Sequence, residues 1–291
     1  MTAAIPTGEF ALYTLNGPAG AGPFSPGPFS AASYSRYKYG SVTATESFAR
    51  ALGAALGEHV PDIVRAPRVL MTSSPYVYVP TAATTLARRL RRVLNAARAS
   101  HGLPPAPLVQ VDRAGVPTGD YGLLSAQDRD RAMAHNVLSF RRFRPDQVRD
   151  AHLLLVDDVR VTGAHQRCLM RASDDLPVRS RTFAYIAAIP GSLEPGQFDP
   201  TLENTLNHAA VSTLDDLAGL VAGNDFAWNV RVCKFVLSPA NRDELPRFLA
   251  EMPGWFVRDL YRNSRRDGYA LLDAYAPSHA AVRAELDRRR A

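Results

Sequence analysis

Lysine is almost missing from this chain of 291 residues: of its 34 basic residues only Lys38 and Lys234 are lysine, and the rest are arginine. Cysteine is as scarce. Cys168 and Cys233 stand far apart and outside any CxxC pair, which excludes a disulfide framework or a cysteine-based zinc cluster. Both are expected to be small buried apolar residues. No apolar run approaches the roughly 18 to 20 residues of a membrane span, and the start MTAAIPTGEF lacks a basic stretch leading into an apolar one. A cytoplasmic location with no membrane partner is therefore expected. No GxGxxG follows a strand-like run, and no GxxxxGK followed by Ser or Thr occurs, which weakens dinucleotide and P-loop readings.

What is present suits a globular protein with a sizeable core: 46% of residues are hydrophobic and 21% charged. The length fits one elaborated domain or a core with an appended cap. A formal net charge of +6 admits nucleic acid as a partner, or equally a small polyanionic substrate.

Residues 17–40 are dense in Gly, Pro, Ser and aromatics, which predicts a long irregular loop. GEFALYTLN before it reads as an edge strand. Thr43 and Thr45 are candidate caps for a helix over Glu46–His59. VLMTSS (69–74) reads as a buried strand, 81–102 as an amphipathic helix, and LVQVD (108–112) as a short strand. The polar stretch 113–136 is too long for an ordinary connection. HLLLVDD (152–158) is the clearest strand; a helix from about Gly163 to Ala172 and a strand RTFAYIAAI (181–189) follow. This order predicts an α/β fold, an open parallel sheet with helices on both faces and ligands at the carboxyl ends of its strands. Beyond Pro190, helices near 214–221, 241–250, 253–266 and 277–290 and a strand VRVCKFVL (230–237) predict a C-terminal α+β cap. The expected division is 1–42 as N-terminal strand and loop, 43–190 as core and 191–291 as cap.

Chemistry concentrates in LLLVDDVRVTGAH, residues 153–165. Four apolar residues bury a strand, Asp157 and Asp158 stand near its carboxyl end, and a turn containing Thr162-Gly163 opens a helix. Free N–H groups at a helix start, with a threonine hydroxyl, suit a phosphate dianion, and adjacent carboxylates accept hydrogen bonds from vicinal hydroxyls. One loop would grip both the phosphate and the diol of a sugar phosphate. The segment resembles the signature of type I phosphoribosyltransferases, which bind phosphoribosyl pyrophosphate (PRPP). The departure from that pattern is His165, where the family usually has a hydroxyl. The long N-terminal loop and the cap make the chain similar to an orotate-phosphoribosyltransferase-like bacterial branch.

The resemblance implies transfer of 5-phosphoribosyl from PRPP to a small acceptor, with Mg²⁺ as cofactor and pyrophosphate as product. It implies that Asp157 and Asp158 hold the ribose hydroxyls and the metal, while Val159, Arg160, Val161, Thr162, Gly163, Ala164 and His165 surround the 5-phosphate. It also implies a pyrophosphate loop at Ser73, Ser74, Pro75 and Tyr76, and a mobile catalytic loop over 113–136. Arg36 and Lys38 are candidate clamps for the leaving group; in so lysine-poor a chain, Lys38 between two tyrosines suggests a use for a compact ammonium. His135 is a candidate for proton transfer, against the plainer reading of a surface histidine. Asp157 and Asp158 are also compatible with a response-regulator receiver or a structural turn. The receiver would need a phospho-accepting aspartate at a later strand end, and 199–204 (DPTLEN) has no such strand. A PRPP-sensing regulator that binds nucleic acid is the competing function, with RRLRR (88–92) as its basic surface. A second copy of the chain is a further open partner.

Overall fold

The computed structural model describes residues 5–15, 28–113, 138–189 and 202–290. In chain order its elements are β1 (Thr7–Thr14), α1 (Ala31–Lys38), α2 (Val42–His59), α3 (Asp62–Arg65), β2 (Val69–Ser73), α4 (Ala82–Ser100), β3 (Asp112–Arg113), β4 (Leu138–Ser139), α5 (Pro145–Val148), β5 (His152–Arg160), α6 (Ala164–Ala172) and β6 (Ser180–Ala188). A helical region follows: α7 (Leu202–Asn207), α8 (Leu214–Ala222), α9 (Val230–Val236), α10 (Leu245–Glu251), α11 (Gly254–Arg266) and α12 (Ala276–Arg288). The main sheet is wholly parallel, in the order β1-β6-β5-β2, so the expected α/β class holds and β1 is indeed an edge strand.

Alternation along β5 explains why the sheet is covered on both faces. Leu154 and Val156 join Phe48 and Leu52 of α2 and Leu86 and Leu90 of α4 in one core. Leu153 and Leu155 join Leu169 of α6, with Phe140, Phe143 and Val148, in another. Burying such a side chain contributes about 1.5–3 kcal/mol, so a run of four on one strand fixes β5 at the centre of the sheet. A third apolar cluster lies in the C-terminal helices around Phe248, Phe256 and Leu260, and it takes in Tyr39 and Val79 from the sheet-bearing part.

The structure corrects four local expectations. Residues 31–38, inside the expected loop, form α1: Pro28 is the last breaker, and the Ser30 side chain caps the helix by accepting from the Ser33 N–H at 3.1 Å. The Gly- and Pro-dense part, 16–27, lies outside the described residues. Helix α2 begins at Val42, capped by Ser41 rather than by Thr43 or Thr45. Residues 108–112 contribute a single parallel bridge, Leu108 to Met71, while Asp112–Arg113 pairs antiparallel with Leu138–Ser139 in a separate ribbon. VRVCKFV is a helix capped by Asn229, because Val232, Cys233 and Val236 share one buried face at helical spacing. The C-terminal region thus contains helices and no strand among its described residues. Both cysteines are free and buried. No described helix is long and apolar enough to cross a membrane.

Candidate functional site

Strand β5 carries the acidic pair inside its last turn of pleat, and neighbours on two other elements fix the two carboxylates differently. Asp157 Oδ1 accepts from Ser74 Oγ at 2.8 Å and from the Asp158 N–H at 3.0 Å. Asp158 Oδ1 accepts from the Val159 N–H at 2.8 Å, and its Oδ2 is ion-paired with Lys38 Nζ. The Lys38 and Asp158 side chains are 12% and 15% exposed, so this pair is far less screened than a surface one. Lys38 stands at the end of α1, its ammonium 5.7 Å from the centre of the Tyr34 ring. The backbone carbonyl of Lys38 accepts from Asn229 Nδ2 at 3.1 Å, which ties this corner of the site to the C-terminal helices.

Burial pushes the Asp157 carboxyl above the usual range. His165 pulls it down, the charge of Asp158 pushes it up again, and the bonds from Ser74 and the backbone lower it. Three buried phenols share this environment. Tyr34, Tyr37 and Tyr185 are all held well above the ordinary tyrosine value, first by burial and then by the acidic pair, so they remain neutral donors. The hydroxyls of Tyr34 and Tyr37 and His165 Nε2 are buried without a hydrogen-bond partner among the described residues. From sequence Tyr34 was missed, and Tyr37 was noted only as a neighbour of Lys38. Their i, i+3 spacing puts both on one face of a helix, a signal hidden by the expectation of a loop there.

The turn after β5 is a compact local structure. Val161 is buried, Gly163 adopts φ +69° as the cap residue of α6, and the Ala164 N–H lies 3.4 Å from Thr162 Oγ1. Arg167 Nη1 closes the turn from behind by donating to the Thr162 carbonyl at 2.9 Å. The first N–H groups of α6, around Ala164 and His165, open the helix. Arg160 is committed elsewhere: its guanidinium bonds Glu9 on β1 at 2.7 Å and the Ile189 carbonyl at 2.7 Å.

Beside this turn lies the loop after β2. Ser73 Oγ donates to Thr84 Oγ1 at 3.0 Å, Ser74 reaches Asp157, and Pro75 is buried. The Tyr76 carbonyl accepts from Gln110 Nε2 at 3.0 Å, and its hydroxyl from Arg88 at 3.1 Å. Further along, the N–H groups of Tyr78 and Val79 both donate to Asp267 Oδ1, at 2.8 and 3.1 Å. Arg266 donates to the Tyr78 hydroxyl at 2.6 Å. Asp267 and Arg266 carried no local signal in the sequence.

Ser74, Asp157, Asp158 and Lys38 are thus brought together, with Thr162–His165 following on the same strand end. Arg36 is exposed on α1. His135, and with it the loop 114–137, lies outside the described residues. Of RRLRR, Arg88 holds Tyr76 and Arg89 pairs with Glu46 at 2.9 Å, so two of its arginines have structural partners. No group of three or more metal-ligating side chains occurs among the described residues. The two adjacent carboxylates nevertheless fit Mg²⁺, which takes one or two carboxylates and completes its shell with water and substrate phosphates.

The model of the family described as PRTase ComF-like (phosphoribosyltransferase, ComF-like) matches residues 9–280, a span that runs from β1 into α12. No curated protein matches the chain.

Proposed function

The chain belongs to the ComF-like phosphoribosyltransferase family, and from that premise we propose that it binds PRPP at the carboxyl ends of β5 and β2 and transfers its 5-phosphoribosyl group to a small nucleophilic acceptor, with release of pyrophosphate. The observation that carries this reading is the acidic pair held between Ser74 and Lys38 at the mouth of the turn that opens α6.

In this reading Asp157 and Asp158 accept hydrogen bonds from the ribose hydroxyls, and the Thr162 hydroxyl with the first N–H groups of α6 holds the 5-phosphate. The loop from Ser74 faces the pyrophosphate. Lys38 neutralises Asp158 when no sugar is bound; a diol on Asp158 releases the ammonium toward the leaving group, whose negative charge grows as the bond from C1 breaks. Mg²⁺ on Asp157 and Asp158 would supply further charge neutralisation to the pyrophosphate. Tyr34 and Tyr37, buried near the acidic pair and held neutral, add no negative charge beside a polyanion.

Asp157→Asn with Asp158→Asn is expected to abolish PRPP binding in calorimetry while leaving the melting temperature within a few degrees; unchanged affinity refutes the site. Pyrophosphate release from PRPP and Mg²⁺, read against nucleobases, amides and aromatic acids, tests transfer. Tight PRPP binding without turnover on any acceptor overturns transfer in favour of PRPP sensing.

A further inference from the structure

Away from the acidic pair, the C-terminal end of α11 gathers positive charge around a hollow. Tyr261, Arg262, Arg265 and Arg266 line an open concavity of about 440 Å³. Their spacing places them on neighbouring turns of one helix face. Arginines near a helix C-terminus favour the dipole, which accounts for their presence there but not for three guanidinium groups lining one hollow. Among the described residues one carboxylate partners them: Arg262 Nη2 lies 3.0 Å from Asp259 Oδ1. Arg266 is engaged by a neutral group, the Tyr78 hydroxyl, with its guanidinium carbon 4.5 Å from the centre of that ring. The Arg265 side chain has no ion pair or hydrogen bond among the described residues.

The aromatic wall carries a second, independent oddity. His279 stacks on Tyr261 with ring centres 5.0 Å apart and an interplanar angle of 29°. It is 8% exposed, and its Nε2 has no hydrogen-bond partner among the described residues. Burial and the charges of Arg265 and Arg283 disfavour its protonation. His279 thus backs the Tyr261 wall, and the hollow in front of it sets three guanidinium groups against one paired carboxylate, a balance of charge that suits an anion with acceptor oxygens.

We propose that this concavity is a binding site for a phosphate-bearing small molecule, with Arg262, Arg265 and Arg266 on the phosphate oxygens and Tyr261 as the planar wall beside its organic part. Guanidinium forks match phosphate oxygens in pairs, and the volume is that of ordinary small-ligand sites, about 300–1,000 Å³. The site's lining residues all belong to α11, and Arg266 links them to Tyr78 in the loop after β2.

The test uses the full chain carrying Asp157→Asn and Asp158→Asn, titrated calorimetrically with ATP, inorganic triphosphate and adenosine. ATP and triphosphate are expected to bind and adenosine not. Arg262→Glu with Arg265→Glu, added to that chain, is expected to weaken ATP by at least about tenfold, the order of losing charge-assisted hydrogen bonds. Arg265→Gln, milder for the helix, is expected to weaken it by a smaller factor at an unchanged melting temperature. No binding of ATP, or binding that survives both sets of substitutions, overturns the site. A single-stranded oligonucleotide that binds the hollow far more tightly than ATP overturns the small-molecule assignment and makes the surface a nucleic-acid contact.

Discussion

Two loops meet at Asp157, and they are held by opposite means. The turn after β5 is stabilised by its own neighbours: Ala164 leans on Thr162, Arg167 closes on the Thr162 carbonyl, and Gly163 supplies the left-handed backbone. The loop after β2 has holds from Thr84 and Arg88 on the following helix, but it also depends on partners far along the chain. Gln110 holds Tyr76, Asp267 holds Tyr78 and Val79, and the Val230 N–H donates to the Pro80 carbonyl at 2.9 Å. One side of the site is therefore written into some ten consecutive residues, and the other depends on the C-terminal helices. Those helices also fix the other end of the site, since Asn229 holds the Lys38 carbonyl and Asp225 accepts from Ser41 and from the Thr43 N–H. Their role is to hold two loops at the mouth of the sheet.

The largest break in this contrast comes from Asp267→Ala. It strands two backbone N–H groups and is expected to cost about 2 kcal/mol, a loss of a few degrees in melting temperature. PRPP affinity should fall about tenfold, the equivalent of about 1.4 kcal/mol, because the loop that carries Ser74 loses its far anchor. Calorimetry with PRPP checks this; intact affinity in a destabilised protein would show that Ser74 is placed without help from α11.

A smaller effect is expected on the local side. Gly163→Ala forces a side chain into φ +69°, at a cost of about 1–2 kcal/mol, and its Cβ would meet Arg167 Nη1 at 3.3 Å. Stability and PRPP affinity should both drop modestly. Hydrogen exchange at Tyr78 and Val79 should stay as in the parent, whereas Asp267→Ala should raise it there. Exchange that rises at both loops in Gly163→Ala would mean that the two are not independently held.

The same contrast explains what could be read in advance. β5, its acidic pair and the helix after Gly163 are legible because their determinants are contiguous: four apolar residues, two carboxylates and a glycine at a left-handed cap. Ser73–Tyr76 could be placed only by chain position, since Ser74 has no partner until β2 and β5 lie side by side. Lys38 stood out by rarity, but its pairing with Asp158, 120 residues away, is a product of the fold. Asp267 sits at the end of YRNSRRD, where an acidic residue reads as solvated; its bond to Tyr78 spans 189 positions. Two segments misled through composition. Gly and Pro density up to Pro28 hid α1, and the β-branched residues of VRVCKFV hid a seven-residue helix too short for periodicity to decide.

The smallest expected effect separates acceptor geometry from charge at the remote anchor. Both N–H groups of the β2 loop reach the same oxygen, Asp267 Oδ1, and the amide oxygen of an asparagine offers the same acceptor. Asp267→Asn should therefore keep PRPP affinity and most of the stability that Asp267→Ala loses. It should also remove a pH dependence. Burial lifts the Asp267 carboxyl above its ordinary value, against the opposing pull of the two N–H groups and Lys234. The folded state thus keeps this proton to a higher pH than the unfolded chain does. Stability from the group is full below the ordinary carboxylate range and declines as pH rises through the raised folded value. Denaturant midpoints across that range should show the parent losing ground to Asp267→Asn as pH rises, then running parallel to it. Parallel curves at every pH would remove the raised carboxyl from the account. An asparagine as damaging as alanine would show that the negative charge, rather than the shared oxygen, anchors the loop.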